Sequence, residues 1–392
     1  MAAPLEEKTL QRKKLTASLL AGAATAGLMV AAAPTSGAAV GHSKMVNWSK
    51  VTHLTKTGPT DLANLIKAAK KEGRLNTVAL PDNWANYGQE ISTFKHKYGI
   101  KVYDYNPDGS SAEEISDIAS DTGRSDDPDV VDVGESFAIQ AVGAHLLARY
   151  KVQTYANIPA GQKSPYAYWY ADYGGYVAIG CDTKTVKHCP TTFKQMLRTG
   201  QGYKIGLNNS PTEAAAAFDA VWAAALSNGG SFNNIKPGIN YFAKLNKEGN
   251  FVDTTAGANT VLDGTTNILV WWDYLQASEI KVLKGYSKIW KITIPSDGVF
   301  AAYYAQAINK HAPDPAAARL WEEFLYSTQG QNLWLKGETR PIELPYLVAH
   351  HLANKTWLAK LPPAPKGVTK FPTQTQTNKA ELVVEKDWAS EI

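Results

Sequence analysis

From Thr60 onward, segments of helical period alternate with short apolar runs, and this order restricts the chain to α/β layers in which helices flank sheets. Leu62, Leu65, Ile66 and Ala69 form a helical stripe that Gly73 ends, and residues 75–80 follow as a buried strand. Tyr87, Ile91, Phe94 and Tyr98 recur at helical spacing up to Gly99, and residues 100–105 are the next strand. Ser111 and Glu114 have capping-box spacing for a short helix, ahead of a strand at 129–133. In the second half, residues 203–207, 267–271 and 291–294 read as strands. Ser210 with Pro211 predicts a helix start for the Ala-rich segment, and Asp314-Pro315 another for the stripe Leu320, Trp321, Phe324, Leu325. This predicts largely parallel sheets. At 392 residues the chain exceeds one ordinary domain, so two lobes are expected. The region after Pro362 is rich in Pro, Thr and Lys and is expected to pack loosely.

The N-terminus predicts export. Gln11-Arg12-Lys13-Lys14 precedes an apolar run over 15–33, and Ser36-Gly37-Ala38-Ala39 offers a small-residue exit, so residues 1–39 read as a signal peptide cleaved after Ala38 or Ala39. The alternative is a retained anchor, since the run reaches the length of a weak span. No Cys lies near the exit to carry a lipid. Residues 40–59 read as a linker. Cys181 and Cys189 are the chain's two cysteines. An oxidising compartment favours a local disulfide between them over a metal site, which needs closer thiols and more ligands. Of the formal net charge of +4, the leader carries a surplus of two, and no basic stripe suits nucleic acid.

Ligands of open α/β sheets gather at the carboxyl ends of strands. That rule selects Asn83 and Trp84 with Tyr87; Glu135 and Ser136; Asn209 and Ser210; and Trp271 with Asp273. Nucleophile elbow, Walker loop, His-Glu-x-x-His and Cys-x-x-Cys patterns are missing, so no catalytic residue, cofactor or metal site is expected. His350-His351 reads as exposed, and Glu113-Glu114 and Glu322-Glu323 as solvated helix faces.

An ordered series of segments carries a resemblance: residues 68–75, 94–102, 128–133, 176–179 and 190–193, then Ala316-Ala317-Ala318-Arg319 through Phe324 to Gln331. Over about residues 60–345 the chain resembles the extracellular solute-binding proteins of ABC importers, in the branch of the spermidine/putrescine, iron and thiamine binders. The resemblance implies a type II periplasmic-binding-protein fold with lobes 60–172 plus 303–345 and 173–302 plus 346–392. The crossovers would lie near 170–177 and 294–305, adding Asp172, Tyr173 and Tyr304 to the candidate site. It also implies a monomer at the outer face of the membrane that clamps a small polar solute and serves a permease.

Trp84, Glu135 and Trp271 occupy places that touch ligand in polyamine binders, and a polyamine-like amine is the favoured ligand. Where those proteins add a Trp and an Asp, this chain has Ala302 and Tyr304. Iron binders place adjacent tyrosines where Asp273-Tyr274 stands here. Ferric iron, a phosphonate- or thiamine-type ligand, and an exported sensory or enzymatic role remain as alternatives.

Overall fold

The computed structural model describes residues 46–120, 123–362, 365 and 371–392, so the expected leader and its cleavage point lie outside the described residues. Among the described residues ten strands form the framework: β1 (Arg74–Val78), β2 (Lys101–Tyr105), β3 (Val130–Gly134), β4 (Tyr170–Asp182), β5 (Ile205–Leu207), β6 (Phe251–Thr255), β7 (Ile268–Trp272), β8 (Trp290–Thr293), β9 (Ala301–Ile308) and β10 (Arg340–Pro341). The helices of nine or more residues are labelled α1 (Leu62–Glu72), α2 (Tyr87–Tyr98), α3 (Ser111–Ser120), α4 (Glu135–Gly143), α5 (Ala215–Ser227), α6 (Lys236–Lys247), α7 (Pro315–Leu325), α8 (Thr328–Lys336) and α9 (Gln374–Glu391).

β4 is the spine of the molecule, with all 13 of its residues buried. Its first part pairs antiparallel with β9 and β10, and its second part with β7 and β8. The sheet order is β3-β9-β4-β7-β5-β6, and β1 pairs with β2 beside it. One half of the two-lobed fold is therefore built on β3 and β9, the other on β5–β7, with β4 common to both. The two segments expected as crossovers run side by side, Gly174 opposite Tyr303 and Gly175 opposite Ala302. Both glycines are required sterically, because a Cβ would strike the Ala302 carbonyl at one and the Asp273 carboxylate at the other. Among these strands, parallel pairing holds at β1–β2, β5–β6 and β5–β7. The expectation of largely parallel sheets fails at the centre, where strands crossing between halves return antiparallel.

Local signals explain most boundaries. Gly73 and Gly99 end α1 and α2 in the left-handed conformation, at φ of 76° and 70°, which a glycine adopts without strain. Two starts move. The capping box of α3 is Ser110 with Glu113, whose carboxylate accepts the Ser110 amide at 2.7 Å. Ser111 Oγ instead accepts the Gly134 amide, and Glu114 the Asp132 amide, which docks α3 on β3. Likewise Ser210 does not start the Ala-rich helix. Its Oγ is engaged by Thr212 and its carbonyl by the Glu213 and Ala214 amides, so the chain turns and α5 begins at Ala215. Residues 215–225 of α5 are all buried, and small side chains let neighbours approach closely: a Cβ on Gly238 would strike the Val221 carbonyl.

Residues 46–59, expected as linker, lie against the fold. Trp48 is buried and Arg319 donates to the Val51 carbonyl at 2.8 Å. Cys181 and Cys189 are disulfide-bonded, with Cα atoms 5.9 Å apart. The expectation of a loosely packed tail is wrong from Gln374 on, because α9 buries Thr377, Ala380, Val384 and Trp388 along one face. The paired glutamates also need correction: Glu113 is exposed, whereas Glu114 and Glu322 are enclosed by neighbouring elements.

Candidate ligand-binding site

A cleft of about 420 Å³ opens between the halves. The first half supplies the loop after β1 with Asn83 and Trp84, the 107–111 segment, Glu114 of α3 and Asp132 of β3. The second half supplies Asn209, residues 255–259, Trp271 of β7 and Glu279, and Tyr304 of β9 closes the floor. The β1 loop is bent by three non-glycine residues at positive φ, Ala79, Ala85 and Asn86. Such conformations persist only where surroundings impose them. Here Asp104 accepts the Leu80 amide at 3.1 Å and Asn86 donates to the Leu333 carbonyl at 2.7 Å.

Three rings wall the cleft. Trp84 meets Trp271 at 6.0 Å between centroids and Tyr304 at 5.7 Å, both edge-on. The Trp84 indole donates to the Tyr173 hydroxyl at 2.9 Å, and Tyr173 and Tyr87 both donate to Asp132 Oδ2 at 2.7 Å. Gln306 Nε2 donates to the Tyr87 oxygen and to Asp172 Oδ2, so the layer behind Asp132 is fixed. The Trp271 indole N–H, though enclosed, has no acceptor among the described residues.

The charge in the cleft has one sign. Asp108, Glu114, Asp132 and Glu279 line it, and among the described residues no Lys, Arg or His does. Burial pushes Asp132 up to about 6, with the Tyr173 and Tyr87 hydrogen bonds opposing the rise. Asp172, next to it, is pushed well above the carboxylate range by burial and then by Asp132. Glu114 is raised well above its ordinary value by burial, then by Asp132; Glu279 rises to about 7 by burial, then by Asp108. Carboxylates held up by desolvation and mutual repulsion, beside ring faces, are relieved by a cation.

Of the residues expected from sequence, Asn83, Trp84, Asn209, Trp271 and Tyr304 line this cleft. Tyr87, Asp172 and Tyr173 stand one layer behind, in the network holding Asp132. The remaining four lie elsewhere. Glu135 and Ser136 face Phe218 and Thr377 at another crevice, because the first turn of α4 carries them past the end of β3. Asp273 turns toward Arg340, 2.8 Å away, and accepts the Tyr176 amide. Ser210 is spent in its turn. Sequence reasoning missed all four lining carboxylates. One signal was available: Asp132 interrupts an otherwise apolar strand, Val130-Val131-Asp132-Val133.

No curated protein sequence matches the chain. Among solved structures, the periplasmic binding protein AfuA from Actinobacillus pleuropneumoniae, with fructose-6-phosphate bound, is similar at a TM-score of 0.64 and 18% identity, over 82% of this chain and 98% of that one. Iron-bound HitA from Pseudomonas aeruginosa is similar at a TM-score of 0.57 and 18% identity, over 80% and 99%. AgtB from A. tumefaciens, in complex with agropinic acid, is similar at 0.64 and 15%, over 82% and 98%. At these identities the likeness shows a shared fold, that of two-lobed periplasmic binding proteins. The profile of the bacterial extracellular solute-binding proteins matches residues 125–363, more than half of the sequence, and the chain belongs to that family.

Proposed function

We propose that this protein is the exported substrate-binding component of an ABC importer and that its ligand is a small organic cation of the polyamine type. The carrying observation is the lining of the cleft, which among the described residues has four carboxylates, three aromatic rings and no basic side chain. Asp132 anchors an ammonium group, oriented by Tyr87 and Tyr173, while Trp84, Trp271 and Tyr304 cover its methylenes and face its charge. The Trp and Asp that polyamine binders add at the second crossover are replaced by Ala302 and Tyr304, and Asp132, Glu114, Glu279 and Asp108 supply the charge instead.

Capture proceeds by closure of lobes 60–172 plus 303–345 and 173–302 plus 346–392 about the paired crossovers, without turnover, and the closed form docks on a permease. The protein works as a monomer at the outer face of the membrane. No helix among the described residues is long and apolar enough to cross one. A thermal-shift screen tests the ligand class, since a molecule that binds only the folded state raises the Tm by mass action. Aliphatic diamines and triamines are expected to raise it. A rise with sugar phosphates, phosphonates, thiamine or Fe(III), and none with amines, would overturn the ligand assignment.

A further inference from the structure

The family profile ends at residue 363, yet the chain continues into an 18-residue helix, α9, that lies against both halves of the molecule. Its buried positions Thr377, Ala380, Val384 and Trp388 form one stripe at helical spacing. At its C-terminal end the stripe is seated on the second half. The Trp388 ring packs on Phe242 of α6 at 5.7 Å and on Phe251 of β6 at 6.4 Å. Lys236 Nζ reaches Asp387 at 2.8 Å and Glu391 at 3.1 Å, and Asn246 Nδ2 donates to the Ile392 carbonyl. Nearer its N-terminal end the same helix touches the first half. Glu381 and Val384 share a crevice with Ser136, Phe137 and Gln140 of α4.

α4 packs on β3 and β9, which carry the first-half wall of the cleft, and α6 packs on α5 and β6 of the other half. The halves already meet: Gly134 backs onto Ala215 with no room for a Cβ, and the Ala112 amide points to the Glu213 carbonyl at 3.4 Å. We infer that α9 is a strap that ties the two lobes together and limits how far the cleft opens. Opening swings α4 away from α6, and the helix bridging them must release one end before that rotation can proceed. The strap thereby raises the population of the closed, binding-competent form before any ligand arrives, which sharpens apparent affinity by the same factor.

The test uses the ligand-free full chain, so it stands or falls separately from the ligand assignment. One variant, Gln140→Ala with Glu381→Ala, frees the first-half end; a second, Trp388→Ala, frees the other, with Lys236→Ala as a milder substitute if Trp388→Ala does not fold. Small-angle scattering is expected to show a larger radius of gyration for each, and no further increase when both ends are freed together, because a strap cut once is already slack. An engineered disulfide between Gln140→Cys and Glu381→Cys is expected to hold the compact radius in the Trp388→Ala background no better than the uncross-linked variant, but to leave the otherwise unaltered chain compact. Folded variants with an unchanged radius, or a larger radius in Trp388→Ala with none in the Gln140→Ala, Glu381→Ala variant, would show that α9 only covers the second lobe and would overturn the inference.

Discussion

Asp132 has little exposure, two tyrosine donors on one oxygen and Asp172 behind it, whose carboxyl burial and Asp132 push up. A carboxylate so placed is held ionisable without a counter-ion, which is the state that a cationic ligand completes. Asp132→Asn is therefore expected to weaken amine binding by about a hundredfold, the scale of a lost buried charge pair, while calorimetric unfolding shows a folded protein. Other acids are buried with no ligand to serve. Glu322 is fully enclosed, and burial pushes it up to about 8, with the neighbouring Tyr170 hydroxyl opposing the rise. Because its folded value lies above the ordinary 4.5, its contribution to stability is complete below that value and is lost as pH rises through about 8. Tm should fall between about pH 5 and pH 9, and Glu322→Gln should flatten that slope; an unaltered slope would assign the loss to other groups. Neither Glu322 nor Glu114 was legible as buried. On its own helix each is one of two adjacent charges, and only the elements packed over it remove it from water.

At the scale of elements, signals contained within a few residues were legible. Gly73 and Gly99 stop their helices where expected, and the six strands read from sequence, β1, β2, β3, β5, β7 and β8, lie within two residues of that reading, whereas β6 was not read as a strand. Signals that depend on what a side chain meets were not. Ser111 matches a cap by spacing, but the Gly134 amide claims its hydroxyl, and Ser110 caps instead. Pro211 resembles a first helical residue, but the turn built by Ser210 and Thr212 delays α5. The Cys181–Cys189 bond was legible because the pair is local. It ties the end of β4 to the following loop across a separation of eight residues. Replacing both cysteines by serine is expected to lower stability by about 2.5 kcal/mol, from the chain entropy of so short a loop. Denaturant unfolding at equal slope measures it, and an unchanged midpoint would mean that the loop is fixed by its hydrogen bonds alone.

For the molecule as a whole, the two-lobed α/β plan was legible because the order of strands and helices is written along the chain. The chemistry of the cleft was not, because Asp108, Glu114, Asp132 and Glu279 come from four separate segments that only the fold brings to one surface. The aromatic part was easier: Trp84 lies in the loop after β1, Trp271 at the end of β7 and Tyr304 on a crossover, where the topology predicts ligand contact. Trp271 is nearly enclosed, so deleting its whole side chain would cost about 3–5 kcal/mol of stability. Trp271→Phe keeps most of the volume and is expected to weaken amine binding by about tenfold through loss of the indole face; normal affinity would remove Trp271 from the site. The most direct test of the account is calorimetric titration of the mature protein with an aliphatic diamine, beside parallel titrations with a sugar phosphate and with Fe(III). The account predicts saturable binding of the diamine, weakened by added salt and by Asp132→Asn. Saturable binding of the sugar phosphate or the iron, with no heat from the diamine, would contradict it.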